Sequence, residues 1–88
     1  MAPAKIKVYG APGCSDCTRA KQFLDGQRVP YQWTDVDKDS EGLKYVQEFN
    51  DGKRTIPVIV FGDGSILVEP TNAELARKLG IGQKATRE

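Results

Sequence analysis

The stretch Lys5-Ile6-Lys7-Val8-Tyr9-Gly10-Ala11-Pro12-Gly13-Cys14-Ser15-Asp16-Cys17 decides how this chain is read. Its first five residues alternate, with Ile6 and Val8 on one face and Lys5 and Lys7 on the other, which predicts a short strand over 5–9. Gly10 to Gly13, with Pro12, predicts a loop that ends it. From Ser15 to Leu24 the apolar positions Cys17, Ala20, Phe23 and Leu24 lay one stripe on a helix, and Gly26 is the expected C-cap. Cys14 and Cys17 are the two cysteines of the chain. A C-x-x-C pair at a strand-to-helix junction, without a secretion signal, predicts a dithiol redox site.

Composition bounds what such a site can belong to. The chain has 88 residues, enough for one domain and a single modest core. With 39% hydrophobic and 28% charged residues it suits an ordinary globular protein. A formal net charge of +1 gives no electrostatic case for nucleic acid or an anionic membrane. Histidine is absent, which removes the usual neutral-pH proton shuttle and the commonest metal ligand. The start, Met-Ala-Pro-Ala-Lys-Ile-Lys, carries no apolar h-region and no long apolar run follows, so neither a signal peptide nor a membrane span is expected. A cytoplasmic monomer whose cysteines cycle is expected instead.

Downstream, Pro30 leads into Tyr31-Gln32-Trp33-Thr34-Asp35-Val36, read as a second strand. The acidic run Asp35, Asp37, Asp39 and Glu41 fails as a calcium loop, because Ser40 stands at the glycine position and Val46 at the bidentate glutamate. It reads as a polar turn feeding a helix over 40–49, with Leu43, Val46 and Phe49 inward and Asn50-Asp51-Gly52 as its stop. Val58-Ile59-Val60-Phe61 predicts a strand buried on both faces. Gly62-Asp63-Gly64-Ser65 turns it into Ile66-Leu67-Val68 as a hairpin. Thr71 with Glu74 three residues on is a capping box, starting a last helix with Leu75, Ala76 and Leu79 inward and Gly80 as its stop. The order βαβαββα implies an α/β fold in which a mixed four-stranded sheet is flanked by three helices. Residues 1–81 are the expected domain and 82–88 a flexible polar tail.

The two thiols suggest a division of labour. Cys14, expected in the first turn of its helix, meets orphan N–H groups and the positive end of the dipole, which favour a thiolate. Cys17 lies one turn deeper and can resolve a mixed disulfide formed on Cys14. Half a zinc site, a static structural disulfide and two unrelated core cysteines are the competing readings. The first lacks further ligands, the second a secretory context. Asp16, between the cysteines, opposes thiolate formation if it faces them, with Arg19 and Lys21 as offsetting cations; if it faces water it contributes little. Ser15 is the other intervening residue.

Gly13-Cys14-Ser15-Asp16-Cys17 after a short strand, Thr55-Ile56-Pro57 before the third and Asp63-Gly64 in the hairpin together resemble the glutaredoxins, which have a thioredoxin-like fold. The run from Asn50 to Leu79 is similar in particular to the mycoredoxins, which reduce mixed disulfides with mycothiol. The resemblance implies a thiol–disulfide oxidoreductase with Cys14 and Cys17 as catalytic residues and no tightly bound cofactor or metal. A low-molecular-weight thiol, mycothiol or glutathione, would be the co-substrate. Disulfide-containing or thiol-conjugated proteins would be the partners, with thioredoxin reductase as a further candidate. It also implies that Pro57 is cis and sits beside the dithiol, that Ile56 offers main-chain groups to an incoming thiol or peptide, and that Thr55 and Thr71 belong to the same wall. Arg54 would meet a ligand carboxylate, its alternative being a solvated surface cation. Val68-Glu69-Pro70 stands where glutathione-using members carry Gly-Gly, and Ser15-Asp16 where they often carry Pro-Tyr, which weakens the glutathione reading. Two other readings remain: an NrdH-type redoxin passing electrons from thioredoxin reductase to a protein such as ribonucleotide reductase, and a non-catalytic redox sensor or iron–sulfur carrier.

Overall fold

A computed structural model describes residues 6–80. Lys5 and the expected tail at 82–88 lie outside the described residues, as does the side chain of Phe49. The elements are β1 (Lys7–Gly10), α1 (Ser15–Gly26), β2 (Gln32–Asp35), α2 (Ser40–Phe49), β3 (Val58–Val60), β4 (Ile66–Val68) and α3 (Asn72–Leu79). The sheet order is β2-β1-β3-β4. β1 runs parallel to β2, with Val8 opposite Trp33, and antiparallel to β3, with Val8 opposite Ile59. β3 and β4 form the antiparallel hairpin, Val58 opposite Val68. The βαβ start requires a crossover helix between parallel strands, and α1 supplies it.

Two of the local expectations are corrected. Gly10 belongs to β1 rather than to the loop: it pairs with Asp35, and its carbonyl accepts the Val36 N–H at 2.9 Å. Gly26 is the last helical residue rather than the cap. Gln27 caps α1, its N–H reaching the Phe23 carbonyl at 3.1 Å, and the left-handed turn falls on Arg28 (φ 59°), whose N–H reaches the Asp25 carbonyl at 3.0 Å. The Val29 N–H then closes back on the Leu24 carbonyl at 2.9 Å, which turns the chain away immediately beyond a fully buried leucine.

Strand alternation divides the interior in two. Ile6, Val8, Ile59 and Phe61 meet Ala20 and Leu24 of α1 and Leu75 of α3 on one side of the sheet. Val58 meets Val36, Val46 of α2, Ala11, Ile56 and Cys17 on the other. Val58 and Ile59 are both fully buried, so the central strand is covered on both faces. Thr71 starts α3 through a complete capping box, its Oγ1 accepting the Glu74 N–H at 3.0 Å while its own N–H donates to Glu74 Oε1 at 2.8 Å. Gly80 ends that helix in the left-handed region (φ 70°).

Candidate active site

Cys14 is the N-cap of α1, one position ahead of the first turn in which it was expected. Its extended backbone (φ −93°, ψ 115°) turns the side chain back over the helix start, and Sγ accepts the Cys17 N–H at 3.2 Å. An N-cap normally offers an oxygen to such an orphan donor; here a sulfur takes the place. The thiol in turn faces the Ile56 carbonyl, a long contact of 3.9 Å. Cys14 is half-buried and Cys17 fully buried, and both are free thiols. Burial pushes the Cys17 thiol up to about 12, with its side-chain contact to Cys14 next in weight and the nearby Asp16 charge adding in the same direction. Cys17 therefore stays protonated across the neutral range.

The backbone beside Cys17 is tightly fitted. A Cβ on Gly10 would lie 2.6 Å from Cys17 Sγ and 2.8 Å from Cη2 of Trp33. The strand end thus carries a glycine because the sulfur and the indole occupy the space a side chain would need. Trp33 is also covered by Lys21, whose Nζ lies 3.9 Å from the ring centroid. Lys21 is thus engaged with the indole, and Arg19 is the residue that meets Asp16, at 3.4 Å. Arg19 also donates to Asn72 Oδ1 at 2.9 Å, joining the start of α1 to the first residue of α3. Ser15 and Asp16 are exposed.

Across from Cys14, the Ile56–Pro57 peptide is cis. Ile56 and Pro57 are buried, Thr55 is half-buried, and the Pro57 carbonyl accepts the Glu69 N–H at 2.8 Å. Glu69 itself has a positive φ of 51°, a conformation uncommon for a residue with a side chain. Arg54 is exposed and held by Asp37, Nη2 lying 2.7 Å and Nε 3.2 Å from Oδ1. Thr71 is exposed, its hydroxyl oxygen committed to the capping box. Of the expected set, contacts join Cys14 to Cys17 and to the Ile56 carbonyl, while Arg54 is engaged with Asp37 and Thr71 with the capping box. Reading along the chain missed Asp37, Asn72, Gly10 and Glu69; of these, only Gly10, at a strand end, carried a local signal. An open groove of about 240 Å³ is lined by Tyr9, Thr34, Asp39, Glu41, Gly42 and Tyr45, with Tyr9 and Tyr45 stacked at 4.9 Å. None of the sequence-predicted site residues lines it. Among the described residues no cluster of three or more His, Cys, Asp or Glu could hold a metal ion, and no helix is long and apolar enough to cross a membrane.

The glutaredoxin family model matches residues 6–66. Mycoredoxin 1 of Corynebacterium glutamicum is 33% identical over 76 residues, covering 86% of this chain and 94% of that protein. A Mycobacterium tuberculosis H37Rv protein that carries the glutaredoxin name is 33% identical over 79 residues, covering 90% of this chain and 94% of its own. The crystal structure of the thioredoxin-like protein BC3987 superposes with a TM-score of 0.71 at 32% identity, over 83% of this chain and 97% of that one. The glutaredoxin of Methanosarcina mazei Go1 shares the fold, with a TM-score of 0.73 at 24% identity over 89% and 80% of the two chains. The strand order, the three helices, the sulfur at the α1 N-cap and these relatives lead to one conclusion: the chain belongs to the glutaredoxin family and has its thioredoxin-like fold.

Proposed function

We propose that this protein is a thiol–disulfide oxidoreductase that reduces mixed disulfides between proteins and a low-molecular-weight thiol, through Cys14 and Cys17. The observation that carries the reading is the setting of Cys14 Sγ, half-buried at a helix N-cap, accepting the Cys17 N–H at 3.2 Å and facing the Ile56 carbonyl. A sulfur so placed has a backbone donor ready for the negative charge of a thiolate.

In the first step the Cys14 thiolate attacks one sulfur of the substrate disulfide. A new S–S bond forms to Cys14, the old S–S bond breaks, and the departing thiolate takes a proton from solvent. In the second step Cys17 surrenders its proton and attacks the Cys14 sulfur, releasing the second thiol and leaving a Cys14–Cys17 disulfide. Two electrons from an external thiol or a reductase restore the dithiol. Alternatively a second small thiol displaces the adduct from Cys14 and Cys17 is bypassed. Burial of Cys17, which disfavours its thiolate, works against the internal attack.

In this reading Arg54, Thr55, Ile56, Pro57 and Thr71 form the thiol-binding wall, and Ser15 and Asp16 tune the dithiol. Residues 1–81 act as the redox domain, with 82–88 as an appendage. The reaction needs no resident metal or cofactor and suits the cytoplasm, whose thiol pool keeps the pair cycling. Mycothiol is the first choice of thiol, on the strength of the mycoredoxin relative.

The experiment supplies a mixed-disulfide substrate with mycothiol, glutathione or thioredoxin reductase as the electron source. Turnover is expected with mycothiol, none with Cys14→Ser, and retained turnover on small mixed disulfides with Cys17→Ser. An active Cys14→Ser, or a wild-type protein idle with every thiol, overturns the reading. NADPH consumption with thioredoxin reductase alone would make it a protein electron carrier instead, and a coloured protein after anaerobic purification an iron–sulfur carrier.

A further inference from the structure

Arg54, the cation expected to meet a ligand carboxylate, and Arg19, expected to offset Asp16, are both matched by carboxylates. Arg54 is held by Asp37 at 2.7 Å and Arg19 lies 3.4 Å from Asp16. On the opposite flank Glu74 sits in the first turn of α3, engaged with the Thr71 N–H. Glu69 adds a further carboxylate that has no hydrogen bond or ion pair among the described residues.

The position of Glu69 is fixed by its backbone. Its N–H donates to the Pro57 carbonyl at 2.8 Å, one residue beyond the Val58–Val68 pair of the hairpin. The carbonyl of the preceding residue, Ile56, faces Cys14 Sγ at 3.9 Å. On its other side the fully buried Pro70 anchors the turn into α3. The residue is exposed and adopts φ 51°, where glycine would sit without a steric penalty. A charged side chain therefore occupies a backbone site that disfavours side chains, bonded through its N–H to Pro57, the residue after the one whose carbonyl faces the Cys14 sulfur. The Glu69 N–H bond to Pro57 holds the left-handed backbone, while no side-chain hydrogen bond or ion pair among the described residues calls for a carboxylate at this position.

We propose that Glu69 is a specificity-determining residue that sets the charge preference of the Cys14 site, favouring cationic and uncharged thiol adducts over carboxylate-bearing ones. The proposal rests on thiol–disulfide exchange at Cys14. Its chemistry is the first exchange step above: Cys14 attacks a disulfide RSSR, the Cys14–S–S–R bond forms, the RS–SR bond breaks, and RS⁻ leaves to be protonated by solvent. Glu69 does not touch the reacting atoms; it raises or lowers the local concentration of charged disulfides.

The test uses the reduced full chain with Cys17→Ser, so that the adduct on Cys14 accumulates and is counted by mass spectrometry. Three symmetric disulfides of similar length are compared: cystamine (cationic), 3,3′-dithiodipropionate (anionic) and 2-hydroxyethyl disulfide (neutral). Intrinsic reactivities differ among them, so the readout is the change in the cystamine-to-dithiodipropionate rate ratio on adding Glu69→Gln or Glu69→Gly. Loss of one unit charge near the entering group should lower this ratio severalfold at low ionic strength, the size Coulomb's law gives in water for charges about 8 Å apart. The fall should nearly vanish in about 1 M salt, where the screening length is only about 3 Å. Glu69→Gln keeps side-chain size and backbone conformation, whereas Glu69→Gly also relaxes the backbone. Equal falls in both assign the effect to charge. A ratio unmoved by Glu69→Gln, or moved only by Glu69→Gly, overturns the proposal. Failure of all three disulfides to label Cys14 in the Cys17→Ser parent would overturn the exchange reading itself, a result distinct from a lost preference.

Discussion

Gly10→Ala probes how closely the sheet is fitted around the buried sulfur. The added Cβ would approach Cys17 Sγ to 2.6 Å and Trp33 Cη2 and Cζ3 to 2.8 and 3.0 Å. Neither neighbour is a flexible chain end that can swing aside. The sulfur sits on a short side chain in the first turn of α1 and is fully buried, and the indole is rigid. Relief requires the strand end to move from α1 or the ring to leave its place. Overpacking of this kind costs about 2 kcal/mol, which for a domain of this size lowers Tm by about 10 °C. Urea unfolding of the reduced protein measures the loss directly. Because two neighbours share the strain, the sulfur's part can be isolated by repeating the substitution in a Cys17→Ala background. Removing the sulfur should reduce the cost of Gly10→Ala by about 1 kcal/mol, read as a double-mutant coupling. A cost below about 0.5 kcal/mol would refute the close fit, and equal costs in the two backgrounds would show that the sulfur does not set it.

Two further outcomes follow from the same geometry. Cys17 is raised to about 12 in the fold against an ordinary thiol near 9, so above pH 9 the unfolded chain loses this proton first and stability falls as pH climbs toward 12; this contribution is fully present below pH 9, the slope is at most about 1.4 kcal/mol per pH unit, and in the reduced protein it should flatten in Cys17→Ala, an unchanged slope counting against the burial argument. Thr71→Ala should cost about 1 kcal/mol in urea unfolding by opening the capping box of α3, while Thr71→Ser, which keeps the hydroxyl, stays within a few tenths.

The element order was legible because each element carries its own periodicity or cap. Ile6 and Val8 alternate into β1, Val58 to Phe61 run apolar through the sheet centre, and Thr71 with Glu74 announces α3 on the backbone itself. The spacing of Cys14 and Cys17 was equally local, so the donor from Cys17 to the Cys14 sulfur could be anticipated from one helical turn. Features that join distant segments could not be. Arg19 finds Asn72 across 53 residues, and Arg54 finds Asp37 across 17, pairings that exist only once the sheet has ordered its helices. Gly10 looked like a loop glycine because Gly, Pro and Gly follow one another there; the fold instead uses it as a pairing residue whose missing side chain makes room for two others. Glu69 was invisible for the opposite reason. Its backbone conformation is one that composition argues against, and it is imposed by a hydrogen bond to Pro57 on the neighbouring strand.

The indole of Trp33, the only tryptophan in the chain, shares the space over Gly10 with the Cys17 sulfur and lies under the Lys21 ammonium. Thiols and cations near an indole alter its emission, and both are in place. Converting the dithiol to a disulfide would change the chemistry and position of one of these quenchers. Under the proposed mechanism this single fluorophore, beside the buried sulfur and with no second tryptophan to dilute it, would report each formation and reduction of the Cys14–Cys17 disulfide without a label.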